Sequence, residues 1–497
     1  MDHCFQHIPL GNSLPPNNPH AVSVSLPKLE DVIGYEENNP ETINQLTNGY
    51  PRFFKNKLVA RLENFVKENH QIKNDEILLP ITSIKAKSIL ENIFNEKFSS
   101  IEIDNVCFLV LKENHPKLSE INKMIQHFGA IISSRNAEKI LFDKKVINEI
   151  FKEERFEISL AEKEVKKNLG EAYKTSAENI FLTNSGTNAV FSAVETLTKI
   201  REKEGKKINV QLGWLYLDSI EIIKKRSPEN YTFINLHQKD EIENWLEKNH
   251  KKIANIIGET VSNPLLQCAD IPWLYQLCKK YNIPLILDNT MASPHCADVL
   301  PYCDVVVESL TKFASGNGDV LMGAVVINEN SSFKNLVKEN IAEFILPPFD
   351  ADCARLALEI KDYERKMKKI SENTFQLYQY LKQQDFVEKI HSVYEENSWE
   401  NFSKIRKSNN HIGLLSLVFK KNLAECYDVL NIAKGPSLGT EFSLAMAYTY
   451  LAHYDLVTSE KGLQKLKENG LHPELFRISV GTEPIEAIIA EFEKLKN

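Results

Sequence analysis

The chain has 497 residues, with 60 lysines and arginines against 68 acids for a net charge of -8, and 42% of it is hydrophobic. That length admits two or three domains, and the acid excess leaves no basic field for nucleic acid or an anionic membrane, so a small-molecule partner is expected. No apolar run approaches a bilayer span, the opening residues lack the layout of a secretory signal, and the cysteines are scattered without metal or disulfide spacing, so a cytosolic protein with free thiols and no metal is expected.

Residues 1–20 show no periodicity and read as a draped tail. Ala21 to Pro27 alternates like a strand, and Thr47-Asn48-Gly49-Tyr50-Pro51-Arg52 is a turn signal ahead of a helix beginning near Lys55. Tyr50 and Arg52, taken alone, read as a surface loop. From Ile72 to Asn179 the pattern predicts a small α/β unit: a helix, a strand at Val106 to Leu111, a helix at Pro116 to Phe128, a strand at Ala130 to Ser134, and an amphipathic segment from Ile147 to Leu169.

At Ile180 to Ala189 a strand runs through Ser185-Gly186-Thr187 into a helix. Bare amides at a helix N-terminus bind anions, and Gly186 allows a phosphate to approach closely. A strand at Asn209 to Trp214 leads to Tyr216, which can stack on a planar ring or pack in the core. Further strands at Ile253 to Gly258, Ile286 to Asp288 and Cys303 to Glu308, joined by helices, predict a parallel sheet covered on both faces. Ligands lie beyond the carboxyl ends of such strands. There Asp288 offers an anion and Lys312 an amine, which pyridoxal phosphate requires for its pyridinium nitrogen and its Schiff base, with Ser309 and Thr311 offering hydroxyls to the phosphate. The loop Ala314 to Asp319 is glycine-rich, as suits backbone folded tightly round a cofactor.

Ser332 to Tyr380 reads as helical, broken at Pro347-Pro348. The remainder alternates strand and helix: His411 to Phe419, Cys426 to Asn431, a turn over Lys434 to Glu441, a helix, and the strand Leu475 to Gly481. Arg477 inside that last apolar strand is costly unless it meets an anion, either a substrate carboxylate or a structural partner.

In this order the motifs resemble the Cys/Met-metabolism family of pyridoxal-phosphate enzymes: Tyr50-x-Arg52, Ser185-Gly186-Thr187, Tyr216-x-x-Ser219, Glu259-x-x-Ser262-Asn263-Pro264, Asp288-Asn289-Thr290, Ser309-x-Thr311-Lys312, Ser437-Leu438-Gly439 and Arg477-Ile478-Ser479. Gly34-Tyr35-Glu36-Glu37, Ile132-Ser133-Ser134-Arg135 and Lys434-Gly435-Pro436 are similar to the fungal-type cystathionine γ-synthases within it. The resemblance implies an α/β fold of the fold-type I transferases, with a mostly parallel seven-stranded sheet domain and a smaller C-terminal α/β domain. Residues 1–71 would form an arm reaching a neighbouring active site, 72–180 an inserted unit, 181–345 the cofactor domain, and 346–497 the bridging helices and C-terminal domain.

By the same resemblance Lys312 would carry the cofactor, Asp288 would face the ring nitrogen, and Asn263 the phenolic oxygen. Gly186, Thr187, Ser309 and Thr311 would hold the phosphate, joined by Tyr50 and Arg52 from a second subunit of a homodimer or homotetramer. Tyr216 would stack on the ring and assist proton transfer, and Arg477 would take the substrate carboxylate, with Ser437 and Tyr50 beside the substrate. The implied reaction is replacement of the acyl group of O-acetyl- or O-succinyl-L-homoserine by L-cysteine, giving L-cystathionine for methionine biosynthesis. Alternatives are a homoserine-ester sulfhydrylase, a γ-lyase, a specialised γ-replacement enzyme, or a pyridoxal-phosphate-binding protein without turnover. Two positions depart from the family: Pro436 stands where many members carry an acid, and the loop after Lys312 reads Gly316-Asn317-Gly318-Asp319 where a histidine is common.

Overall fold

The computed structural model describes residues 5–51, 54–227 and 229–496. Its centre is a seven-stranded sheet in the order Ile180–Thr183, Gly323–Ile327, Val305–Ser309, Leu285–Asp288, Ile253–Glu259, Ile208–Leu212, Tyr231–Phe233. Gly323–Ile327 runs antiparallel to both its neighbours, and the other pairings are parallel. The middle strands are continuous runs of Val, Ile and Leu because both of their faces are covered. Val306 and Leu287 belong to one core, while Val305, Val307 and Ile286 belong to the core on the opposite face.

A second sheet, ordered Val387–His391, Leu414–Phe419, Phe476–Ser479, Leu444–Ala447, Ala433–Lys434, is antiparallel except for its last pair. The helices Asp350–Glu359 and Tyr363–Leu381 lead to it from the large sheet. The expected architecture, a mostly parallel seven-stranded sheet followed by a smaller C-terminal one, is therefore present.

The 72–180 stretch forms a three-stranded antiparallel sheet, Glu76–Ile81, Val106–Lys112 and Ser99–Ile103, with Val106–Lys112 in the middle. It does not stand apart from the large sheet. Leu79, Ile81 and Leu109 share a core with Val190, Ile257 and Ile286, and the rings of Phe128 and Phe191 lie 4.6 Å apart.

Three sequence expectations are corrected. Ala130 to Ser134 is not a strand: Ser133 accepts the Asn136 N–H and caps the helix Ser134–Asp143. A short apolar run cannot by itself separate strand from buried loop. The amphipathic pattern from Ile147 becomes helical only over Ile158–Tyr173. Before it the chain is irregular and tied by tertiary bonds, including Phe156 N–H to the Ala354 carbonyl at 2.9 Å. Past Glu441 the chain first makes the strand Leu444–Ala447, all four residues buried, and only then the helix Tyr448–Ala452. The ladder with Phe476–Ser479 overrides the local helical preference of Leu-Ala-Met-Ala. The seven cysteines among the described residues are free and buried.

Candidate active site

The carboxyl ends of the central strands open into a cleft between the two sheets. Asp288 ends its strand there and Ser309 ends the neighbouring one. Thr290 links the two ends: its N–H donates to the Asp288 carboxylate at 2.9 Å, and its hydroxyl accepts the Ser309 N–H at 2.8 Å. At the edge of the sheet the strand Ile180–Thr183 passes Ser185, whose hydroxyl accepts the Asn188 N–H at 3.1 Å and caps the helix Gly186–Glu202. Gly186 and Thr187 thus present the first amides of a 17-residue helix to the cleft. A Cβ on Gly186 would lie 2.6 Å from the Ser309 Cβ, so only glycine brings helix and strand this close.

Lys312 is buried, and its N–H donates back to the Ser309 carbonyl at 3.2 Å. Its Nζ donates to the Ser437 hydroxyl at 2.7 Å and to the Tyr50 hydroxyl at 3.2 Å, and it lies 4.6 Å from the centre of the Tyr50 ring. Burial lowers its pKa, favouring the neutral, nucleophilic amine. Ser437 holds its position at a φ of 91°, a left-handed conformation uncommon for a side-chain-bearing residue.

Opposite the lysine, Arg477 is buried in the strand Phe476–Ser479. It donates to the Asn263 side-chain oxygen at 2.9 Å and to the Ser437 carbonyl at 2.8 Å, and it stacks 5.1 Å from the Tyr448 ring. Burial brings its pKa down to about 10, so the cation persists at neutral pH. Among the described residues no carboxylate forms an ion pair with it, and its Nε has no hydrogen-bond acceptor.

Tyr216 stands at the start of the helix Leu217–Arg226 and lines the cleft. Its N–H and that of Asn263 are both accepted by one buried carboxylate, Glu259, at 2.6 and 2.9 Å. Burial, with Asp288 nearby, raises the Glu259 pKa well above the usual range.

Two expected contributions differ in place. Thr311 does not line the cleft; its hydroxyl donates to the Met322 carbonyl at 3.3 Å and accepts the Met322 N–H at 3.1 Å. Tyr50 lies in the cleft of its own chain, where the resemblance implied a neighbouring subunit. The preceding segment is laced onto the same chain by Val22 N–H to the Gly318 carbonyl and Leu26 N–H to the Lys434 carbonyl, each 2.8 Å. Arg52 lies outside the described residues. The sequence motifs assigned no role to Glu259, nor to Tyr35 and Glu36 on one wall or Tyr448 and Leu451 on another. The signals available for Tyr35, Glu36 and Glu259 were the Gly34-Tyr35-Glu36-Glu37 and Glu259 motifs themselves; Tyr448 and Leu451 belong to no motif.

The furnishing fits pyridoxal phosphate on three structural grounds. Asp288 is a half-buried carboxylate that forms no ion pair among the described residues, its pKa raised by desolvation, which suits it to face a cationic ring nitrogen. The capped helix start at Gly186 and Thr187 is an anion cradle beside the Ser309 hydroxyl. Lys312 is a buried amine of lowered pKa between them. A lysine, an acid and an anion cradle on one sheet edge, with an arginine facing them from a second sheet, define a pyridoxal-phosphate-dependent enzyme of the fold-type I class.

Comparisons with known proteins narrow the class. The sequence model described as "Cys/Met metabolism PLP-dependent enzyme" matches residues 154–495, and the chain belongs to that family. It is 34% identical over 481 residues to the L-2-amino-4-chloropent-4-enoate dechlorinase/desaturase of Streptantibioticus cattleyicolor, covering 96% of each chain. It is 25% identical to the cystathionine γ-synthase of Neurospora crassa, covering 98% of this chain and 97% of that one. Among solved structures, the cystathionine γ-synthase of Xanthomonas oryzae pv. oryzae in complex with cystathionine shares the fold with a TM-score of 0.58 at 18% identity, over 70% of this chain and 89% of that one.

Proposed function

We propose that the protein acts on an L-α-amino acid that carries a leaving group on Cγ and expels that group. The observation that carries this reading is the facing pair: a buried arginine without an anionic partner among the described residues, opposite a buried amine held by the Ser437 and Tyr50 hydroxyls. Bound pyridoxal phosphate supplies an electron sink that acidifies the substrate's Cα–H and then its Cβ–H. Arg477 forks onto the substrate carboxylate and so fixes which bonds at Cα point toward Lys312. Lys312, exchanged for the substrate amine at the cofactor, would take the Cα proton at Nζ, hand it on to the cofactor and so be neutral again to take one from Cβ, while Ser437 and Tyr50 keep that nitrogen within reach of both. Electrons freed at Cβ push out the group on Cγ. Asp288 would keep its negative charge opposite the ring nitrogen through each transfer, and Tyr216 would stack on the ring.

Entry of L-cysteine at Cγ of an O-acetyl- or O-succinyl-L-homoserine, giving L-cystathionine, is one completion of this chemistry. It accords with the names of the fungal relatives. A second reading is elimination with no entering thiol, favoured by the walls beyond Lys312. Leu438, Met446 and Leu451 line them, and Pro436 stands where an acid would recognise a distal amino group. The named substrate of the 34% relative also bears its leaving group, chloride, on Cγ. Both substrates share that one feature, and it is what the site is expected to require.

Steady-state assay with the two homoserine esters, each with and without L-cysteine, and with L-2-amino-4-chloropent-4-enoate tests the reading. Thiol-dependent cystathionine formation supports the synthase, and thiol-independent release of acid or chloride supports the eliminating enzyme. Turnover confined to amino acids whose leaving group is on Cβ would overturn both.

A further inference from the structure

The loop after Lys312 is anchored by a buried charge cluster whose central cation comes from the 72–180 stretch. Arg135 lies in the first turn of the helix Ser134–Asp143 with its side chain 1% exposed. Its Nε and Nη2 fork onto the two oxygens of Glu153 at 2.7 Å each. Its Nη1 donates to the backbone carbonyl of Asp319 at 2.6 Å and to the Asp352 carboxylate at 3.0 Å. One guanidinium thereby joins the small antiparallel unit, the bridging helix Asp350–Glu359 and the far end of the loop that begins at the active-site lysine.

The near end of the loop is tied just as closely. Gly316 N–H returns to the Lys312 carbonyl at 2.9 Å, and Lys366 Nζ donates to the Ser315 carbonyl at 2.6 Å. Asn317 donates to Glu359 at 2.9 Å, and Asn18 donates to the Asp319 carboxylate at 2.9 Å, with Arg355 3.3 Å from the same oxygen. Between these ties Gly316 and Gly318 adopt φ values of 75° and 70°. Glycines at such angles give a loop wide freedom unless something outside it fixes both ends. A planar guanidinium satisfied on three sides is a stiffer tie than a lysine ammonium, which offers one point charge and cannot fork.

We propose that Arg135 is a positioning residue for Lys312: it holds the Ser315 to Asp319 loop rigid, so that Nζ stays at the distance from Ser437 and Tyr50 that proton transfer needs. The 72–180 stretch then supports the chemistry from outside the cleft. This rests on the assignment of Lys312 as the cofactor's attachment point.

The test is Arg135→Lys in the full-length holoenzyme, with far-UV circular dichroism and melting to establish the fold. The first readout is the pH titration of the visible band formed with pyridoxal phosphate, which reports the environment of the Lys312 nitrogen. The second is the separation of kcat from KM. The expected result is a native-like fold and a bound cofactor. The titration midpoint should move by about half a pH unit or more. A kcat lower by roughly tenfold or more is expected with KM within about twofold, since the substrate clamp is untouched. Hydrogen exchange at the amides of residues 315–319 should quicken. If the lysine variant does not fold, Arg135→Gln with Glu153→Gln, which removes both charges together, carries the same expectations. A variant that melts lower yet titrates and turns over as the wild type does would overturn the proposal and leave Arg135 a structural tie. A wild-type protein that forms no visible band with pyridoxal phosphate would instead overturn the reading of Lys312 itself.

Discussion

Arg477 forms no ion pair with a carboxylate of the described residues, so its cost of burial is to be recovered when a substrate carboxylate arrives. Arg477→Ala should lower kcat/KM by roughly 10² or more, mostly through KM, as loss of a charge-assisted fork does. A steady-state comparison checks this, and a variant with unchanged KM would show the carboxylate is bound elsewhere. A second residue gives a pH dependence. Glu308 lies under the sheet, on the face away from Asp288, and receives the hydroxyls of Tyr173 at 2.5 Å and Tyr363 at 2.8 Å. Burial outweighs those two bonds and pushes its pKa up to about 7 from an ordinary 4.5. Between those values the folded protein holds a proton that the unfolded chain releases, so this contribution is complete below pH 4.5 and is lost as pH rises to 7. Measured as wild type against Glu308→Gln by denaturant unfolding at about pH 5 and about pH 8, the difference should shift toward the variant at the higher pH by on the order of 3 kcal/mol. A constant difference would place the Glu308 proton outside this range.

Elements act here through their ends. The helix Gly186–Glu202 is useful because its capped N-terminus abuts Ser309, and that contact requires a residue without a side chain. Gly186→Ala improves helix propensity in isolation, yet the added methyl must displace the helix start from the strand. We expect pyridoxal phosphate to bind at least about tenfold more weakly while helicity by circular dichroism is unchanged. Equal cofactor affinity would show the amides do not hold the phosphate. The ends of the central strands behave likewise, since Thr290 sets Asp288 and Ser309 in register through two bonds. These ends are legible in the sequence because a run of β-branched residues stopping at Asp, Ser and Lys announces both a buried strand and its functional terminus. The strand Leu444–Ala447 is not legible there, because its conformation is decided by the ladder it joins and not by its own residues.

At the scale of the whole chain, the small three-stranded sheet shares a core with the cofactor sheet, and Phe128 is buried at that junction. Phe128→Ala is expected to cost about 3–5 kcal/mol and to lower a single unfolding transition, since neither side of the junction can lose the contact alone. Calorimetry showing a separate early transition would mean the two sheets are independent units. The same connectivity accounts for what sequence reasoning reached. Lys312, Asp288, Asn263, Tyr216 and Arg477, the residues proposed for the site, stand in motifs legible in the sequence because each motif is a local string at one strand or helix end. From the sequence alone came the class of fold and the cofactor, with the strings that carry the proposed site residues, since periodicity and end-of-strand chemistry are written over a few consecutive positions. Tertiary structure alone decided that Tyr50 meets the lysine of its own chain, that Thr311 turns to Met322, that Glu259 ties two loops, and that Arg135 reaches the lysine loop. Those partners are tens to hundreds of residues apart or depend on which way a side chain turns, and only the packing of one surface against another fixes such distances.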